Sequence, residues 1–149
     1  MRRSFPPLDG GQLVAAERDL GVQLPSEYRS FLTVWNGGRP QPNTFSYEIR
    51  GRKESGMVDW FLGIHNGEHD NLRQYTLWYK GRIPSNLLPI AHDPGGNLIC
   101  IAVSGSDLGA VYFWDHELES SEGQPPSTDN VYLIAKSFEA FLTGLISLT

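Results

Sequence analysis

At 149 residues with 40% hydrophobic side chains, the chain has the size and composition of one globular domain, able to bury roughly 70% of its unfolded surface. No stretch approaches the ~18 uncharged apolar residues that a membrane helix needs, and Met1-Arg2-Arg3-Ser4-Phe5-Pro6-Pro7 is not followed by the apolar core of a secretory signal. The lone Cys100 excludes an internal disulfide framework, so the expected compartment is the cytoplasm. The net charge of −5 is unevenly spread: residues 1–82 carry eleven Lys/Arg against nine Asp/Glu, whereas residues 83–135 carry seven acids and no Lys or Arg. Such an acidic half repels nucleic acid and favours a basic partner, although a solvated rim would have the same composition.

The first predicted element is a helix from Leu8 to Gly21, with Leu13, Ala16, Glu17 and Leu20 near one face. Gly10 and Gly11 weaken its first turn and move the expected start toward Gln12. A second helix follows Leu24-Pro25, with Ser26 as the expected N-cap and Glu27 at the positive end of the dipole. Tyr28, Phe31, Leu32 and Trp35 recur at i, i+3, i+4 and i+7, a spacing that marks a core stripe more often than a ligand groove. Asn36-Gly37-Gly38 supplies a helix stop.

Thr44–Ile49 alternates like a strand with one wet face, Arg50-Gly51-Arg52-Lys53 reads as an exposed basic loop, and Val58–Ile64 reads as a second strand. The turn His65-Asn66-Gly67-Glu68-His69 leads to Asp70, the expected cap of a helix over Asn71–Lys80. Leu72, Tyr75 and Tyr79 share a face of it, and Leu77 and Trp78 widen the apolar surface.

Three apolar runs then define the centre: Leu88–His92, Leu98–Val103 and Ala110–Trp114. Asp93-Pro94-Gly95-Gly96-Asn97 separates the first two as a tight turn, and residues 104–109 separate the next two as a looser hairpin loop. His116–Asn130 is the longest loop, acidic and interrupted by Pro125-Pro126. Val131–Ala135 is a short strand, and Ser137 caps a last helix carrying Phe138, Phe141, Leu142, Leu145 and Ile146. Hairpins outnumber crossovers and no internal repeat occurs. The expected fold is therefore α+β, one domain over residues 1–149 with a largely antiparallel sheet packed by helices.

Candidate chemistry is sparse. His65, Glu68 and His69 match a short zinc-peptidase pattern, but that pattern needs a helix to aim both imidazoles at one metal. Here Gly67 interrupts it between a strand and a capped helix, and no third ligand stands out. His92 and Asp93 suggest a base with its orienting carboxylate, yet neighbours on an extended chain point to opposite faces, so Asp93 is read as a turn residue. Gly95-Gly96 precedes a strand, not the helix N-terminus that binds phosphate, and Cys100 lies in an apolar run that raises a thiol pKa. No catalytic residue, metal site or cofactor is expected.

Three segments carry a resemblance. Leu24-Pro25-Ser26-Glu27-Tyr28-Arg29-Ser30-Phe31-Leu32 closing on Asn36-Gly37-Gly38 resembles the first signature of the SUKH superfamily, named in part for yeast regulators of cell-wall assembly. Pro89-Ile90-Ala91 through Asp93, Gly95-Gly96-Asn97, Ile99-Cys100-Ile101 and Gly109–His116 resemble its second. Ala135–Leu142 resembles its closing strand-to-helix element, so the likeness spans roughly residues 12–146 in order. It implies a non-catalytic α+β domain. It further implies, for a bacterial member, an immunity protein that binds and neutralises a toxin of a polymorphic or contact-dependent system, often a nuclease. Eukaryotic members are protein-interaction regulators, which leaves a regulatory scaffold as the alternative. The resemblance transfers neither a catalytic nor a toxin-contact residue.

The charge pattern supplies the contact expectation. Asp115, Glu117, Glu119 and Glu122 open the long loop and, if clustered, would suit a basic protein surface such as a nuclease substrate groove. The expected partner is a cognate protein toxin, not nucleic acid or a membrane.

Overall fold

The computed structural model describes residues 1–147. Those residues form, in order, α1 (Gly10–Leu20), α2 (Ser26–Val34), β1 (Thr44–Ile49), β2 (Arg52–Met57), β3 (Trp60–Phe61), α3 (Leu72–Tyr79), β4 (Leu87–His92), β5 (Leu98–Ala102), β6 (Val111–Trp114), a 3₁₀ turn (His116–Leu118), β7 (Val131–Ala135) and α4 (Phe138–Thr143). The fold is α+β. Its main sheet is an antiparallel meander, β3-β4-β5-β6-β7, and β1 and β2 form a separate antiparallel ribbon.

β5 runs Leu98-Ile99-Cys100-Ile101-Ala102 without a polar residue because both of its faces are covered. Ile99 and Ile101 join Leu88, Ile90, Val111 and Phe113 in the larger core, against Leu13 and Ala16 of α1, Tyr28, Phe31 and Leu32 of α2, and Phe138 and Phe141 of α4. Leu98, Cys100 and Ala102 face the other way and join Ile83, Leu87 and Trp114, with Tyr75 and Tyr79 of α3 packed on them. Pro89 sits in this central sheet without breaking it. The β4–β5 register shifts between Pro89 and Ala91, a bulge of the kind that accommodates a residue with no N–H.

Local signals set several boundaries differently from the sequence reading. α1 starts at Gly10, not near Gln12, because Asp9 accepts from Gln12 N and the Gln12 side chain accepts from Asp9 N. Pro25, not Ser26, is the N-cap of α2; its extended backbone makes Ser26 the first helical residue, with no side-chain cap. Asn71, not Asp70, caps α3, its side chain accepting from Gln74 N at 3.1 Å, while Asp70 turns into the left-handed region with φ 54°.

The basic segment is a hairpin tip, not a loop. Arg50 and Gly51 have φ of 51° and 81°, the two-residue turn whose twist matches paired strands, and Ile49 faces Arg52 across it. β2 escaped the sequence reading because its side chains, Arg-Lys-Glu-Ser-Gly-Met, lack apolar alternation on an exposed ribbon. The strand expected over Val58–Ile64 shrinks to β3, since neighbouring backbone groups bond elsewhere: Val58 N to Asn43 O and Gly63 N to Asp70 O. Trp35, Leu77 and Trp78 are largely exposed instead of extending the core. The last helix ends at Thr143, and Ile146 pairs with Thr44 of β1 through two backbone bonds.

Candidate functional site

The β4–β5 turn is built by one carboxylate. Asp93 Oδ1 accepts from Gly95 N at 2.9 Å and Asn97 N at 2.7 Å, and Oδ2 accepts from Asn97 Nδ2 at 2.8 Å. Asn97 Oδ1 in turn accepts from His116 N at 3.0 Å and His116 Nδ1 at 2.7 Å, tying the turn to the start of the long loop. Both Asp93 oxygens are thereby committed to shaping backbone and side chain. His92 points to other carboxylates: Nε2 donates to Asp70 Oδ1 at 2.6 Å, Nδ1 lies 3.8 Å from Asp59 Oδ2, and the ring stacks on Tyr75. Among the described residues no serine, threonine or cysteine side chain bonds this imidazole, and its bond to Asp70 fastens loop 65–70 to the sheet.

His65 is equally occupied. Gly67 N donates to its Nδ1 at 2.9 Å, its Nε2 donates to Asp70 O at 3.3 Å, and its ring stacks on Phe5 with centroids 3.6 Å apart. His69 and Glu68 point into solvent on a bend, and among the described residues no three His, Cys, Asp or Glu side chains converge as a metal requires. Cys100 is fully buried, and burial pushes its thiol well above the ordinary range.

The four acids singled out from the sequence divide between two places. Asp115 caps the 3₁₀ turn by accepting from Glu117 N at 3.0 Å, and Glu117 itself is exposed. Glu119 accepts from Arg82 Nη2 at 2.9 Å and Arg82 Nε at 3.2 Å, and the Arg82 guanidinium lies 4.3 Å from the centre of the Tyr79 ring. Glu119 and Glu122 share a small cleft with Arg82, whereas Asp115 lines a different one with Asp129. The bidentate pair holds the long loop over the second face of the sheet, beside α3. Charge counting alone could not assign Glu119 this partner, because Arg82 is 37 residues away.

The second cleft, about 1010 Å³, lies between the hairpin tip and the base of the long loop. The hairpin contributes Glu48, Arg50 and Arg52 to its lining, and the long loop contributes Asp115 and Asp129, with Ile49, Leu118 and Tyr132 as the apolar and aromatic lining. Sequence reading missed this arrangement because its two sides are some 63 to 81 residues apart, roughly half the chain, a separation no local pattern encodes.

A model of the SMI1 / KNR4 family (SUKH-1) matches residues 7–144. The SPbeta prophage-derived uncharacterized protein YokK of Bacillus subtilis (strain 168) is 32% identical over 150 residues, covering 91% of this chain and 73% of that protein. A protein from Pseudomonas syringae pv. tomato of known crystal structure is similar in fold, with a TM-score of 0.51 at 21% identity over 82% of this chain and 77% of that one.

Proposed function

This chain belongs to the SMI1 / KNR4 family (SUKH-1), and from that premise we propose that it is an immunity protein that binds a cognate polymorphic or contact-dependent toxin and neutralises it by covering its active site. The observation that carries this reading is the family match over residues 7–144, which runs from before α1 to the end of α4 in a family that includes toxin-immunity proteins. The prophage origin stated for the Bacillus relative supports it, since a mobile element is a setting for toxin and antidote genes. A non-catalytic role is supported by His65, His92 and Asp93, whose polar atoms are spent on backbone and loop contacts. No described helix is long and apolar enough to cross a membrane.

The acidic loop supplies the favoured contact charge. Asp115, Glu117 and Glu122 have no Lys or Arg partner within 4.0 Å among the described residues, whereas Glu119 is paired with Arg82. Unpaired acids on one loop attract a basic toxin surface and raise the association rate, an effect that salt weakens. The deciding experiment reads the neighbouring genes and co-expresses this chain with any C-terminal toxin domain they encode. Growth is restored if the reading is right, and toxicity undiminished by a well-expressed chain refutes it. Reversing the charge of Asp115, Glu117, Glu119 and Glu122 together lowers the association rate and flattens its salt dependence; unchanged values remove the acidic loop from the contact.

A further inference from the structure

The cleft between the hairpin tip and the long loop has opposite charges on its two walls, and they do not meet. Among the described residues Arg50 makes no ion pair, Arg52 reaches only Glu54 at 3.9 Å, and Asp129 has no cationic partner. The basic wall is a closed two-residue turn on a fully registered ribbon. The acidic wall is clamped where Asp115 N donates to Asn130 O at 3.0 Å and Asn130 Nδ2 donates to Asp115 O at 2.9 Å. Between them, Leu118 is 58% exposed, an apolar side chain offered to the cleft without cover.

Opposite charges that do not meet across the cleft, with exposed apolar surface beside them, suit a segment that completes both pairs. We infer that this cleft is the docking slot for one segment of a protein partner carrying an acidic side chain toward Arg50 and Arg52, a basic one toward Asp115 and Asp129, and an apolar one onto Leu118 and Tyr132. The inference rests on the toxin-binding reading and sharpens it: the partner surface is bipolar at this point, not uniformly basic. Charge complementarity selects such a segment over an anionic polymer, which the aspartates repel, and over an apolar ligand, which would strand the charged lining.

The test is the double variant Arg50→Asp/Asp129→Arg, which cancels the charge difference between the Arg50/Arg52 and Asp115/Asp129 pairs and leaves net charge unchanged. Arg50→Asp places Asp-Gly in the hairpin tip, a dipeptide that favours this turn, so the ribbon is retained. The control Glu68→Arg/Lys80→Asp makes the same exchange at exposed residues outside the cleft. Binding to the toxin domain that this chain neutralises in the co-expression experiment is measured by calorimetry at two salt concentrations. The expected result is a loss of at least about tenfold for the cleft variant and none for the control. If the cleft variant lowers the melting temperature, Arg52→Glu, on an exposed strand position, gives the same readout. A cleft variant that binds like the parent overturns the inference while the toxin-binding reading stands. A parent chain that neither binds nor rescues overturns both. A dimer of this chain alone that the cleft variant dissociates overturns it too, because the occupant is then a second copy.

Discussion

The Asn36 side chain closes on the backbone of Ile64 from both directions: its Nδ2 donates to Ile64 O at 2.8 Å, and Ile64 N donates to its Oδ1 at 2.8 Å. The same Nδ2 donates to Pro6 O at 3.0 Å, and Phe5 N donates to Asn36 O at 3.0 Å. One amide, 1% exposed, thus joins the N-terminal segment, the end of α2 and the segment after β3. Asn36→Leu would leave two buried carbonyls and one buried N–H without partners, each costing about 1–3 kcal/mol, so a loss of at least ~3 kcal/mol is expected. Asn36→Asp keeps the shape but turns the donor into an acceptor facing two carbonyls, with a similar cost. Urea denaturation reads both, and a midpoint within error of the parent for either variant would show that the clamp is not stabilising.

That clamp marks the boundary of what the chain reveals before it folds. Asn36-Gly37-Gly38 was legible as a helix stop, and Gly37 does adopt φ 73°, but its constraint is more specific. A Cβ there would lie 2.8 Å from Phe61 O and 2.9 Å from Gly63 N, so the helix ends where two backbones touch. Helical spacing exposed α2 and α4, and unbroken apolar runs bounded by turn residues exposed the three central strands. Neither signal could expose β2, whose residues are polar on an exposed ribbon, nor the partners of Asn36, Glu119 and His92, which are long-range choices among many polar groups. The bipolar cleft belongs to this second kind, since hairpin and loop meet only in the folded chain.

Arg82 and Glu119 connect loop dynamics to α3. The pair is partly exposed, with side-chain exposures of 45% and 26%, so its removal should change global stability by no more than about 1 kcal/mol. Its local effect is larger, because the other backbone bonds near this part of the loop are short-range, as in Gln124 N to Ser121 O. Arg82→Ala should accelerate amide exchange over residues 119–126 while leaving β5 and β6 protected. Equal exchange in variant and parent would mean that the loop is held by packing alone.

Tyr112 gives the fold a defined weakness at high pH. Its hydroxyl donates to Asp107 Oδ2 at 2.6 Å, and burial, that hydrogen bond and the aspartate charge push its pKa up to about 12. In the unfolded chain the phenol titrates near pH 10, so above that value the unfolded state releases its proton first. The contribution of Tyr112 is therefore complete below about pH 10 and is lost as pH climbs toward 12. Phenolate absorbance should show one fewer late-titrating tyrosine in Tyr112→Phe than in the parent, where burial also raises Tyr28, Tyr47 and Tyr75. The stability of that variant should fall less steeply across the same interval. Parallel stability curves would assign the alkaline loss to other groups.

Tyr28 presents the opposite case, a hydroxyl that the core would be better without. The residue is wholly buried between α2 and α4, its ring edge-on to Phe138 at 5.2 Å, and its Oη has no hydrogen-bond partner among the described residues. Burial raises its pKa, the mark of a phenol surrounded by apolar atoms. Tyr28→Phe keeps every ring contact and removes one stranded polar group. The variant should therefore gain about 1 kcal/mol, or roughly 3 °C in melting temperature for a domain of this size. The hydroxyl's small volume limits the cavity left behind, so the packing loss is smaller than the desolvation relieved. Thermal unfolding followed by circular dichroism decides it: a midpoint below that of the parent would require a buried partner for the Tyr28 hydroxyl, most simply an ordered water.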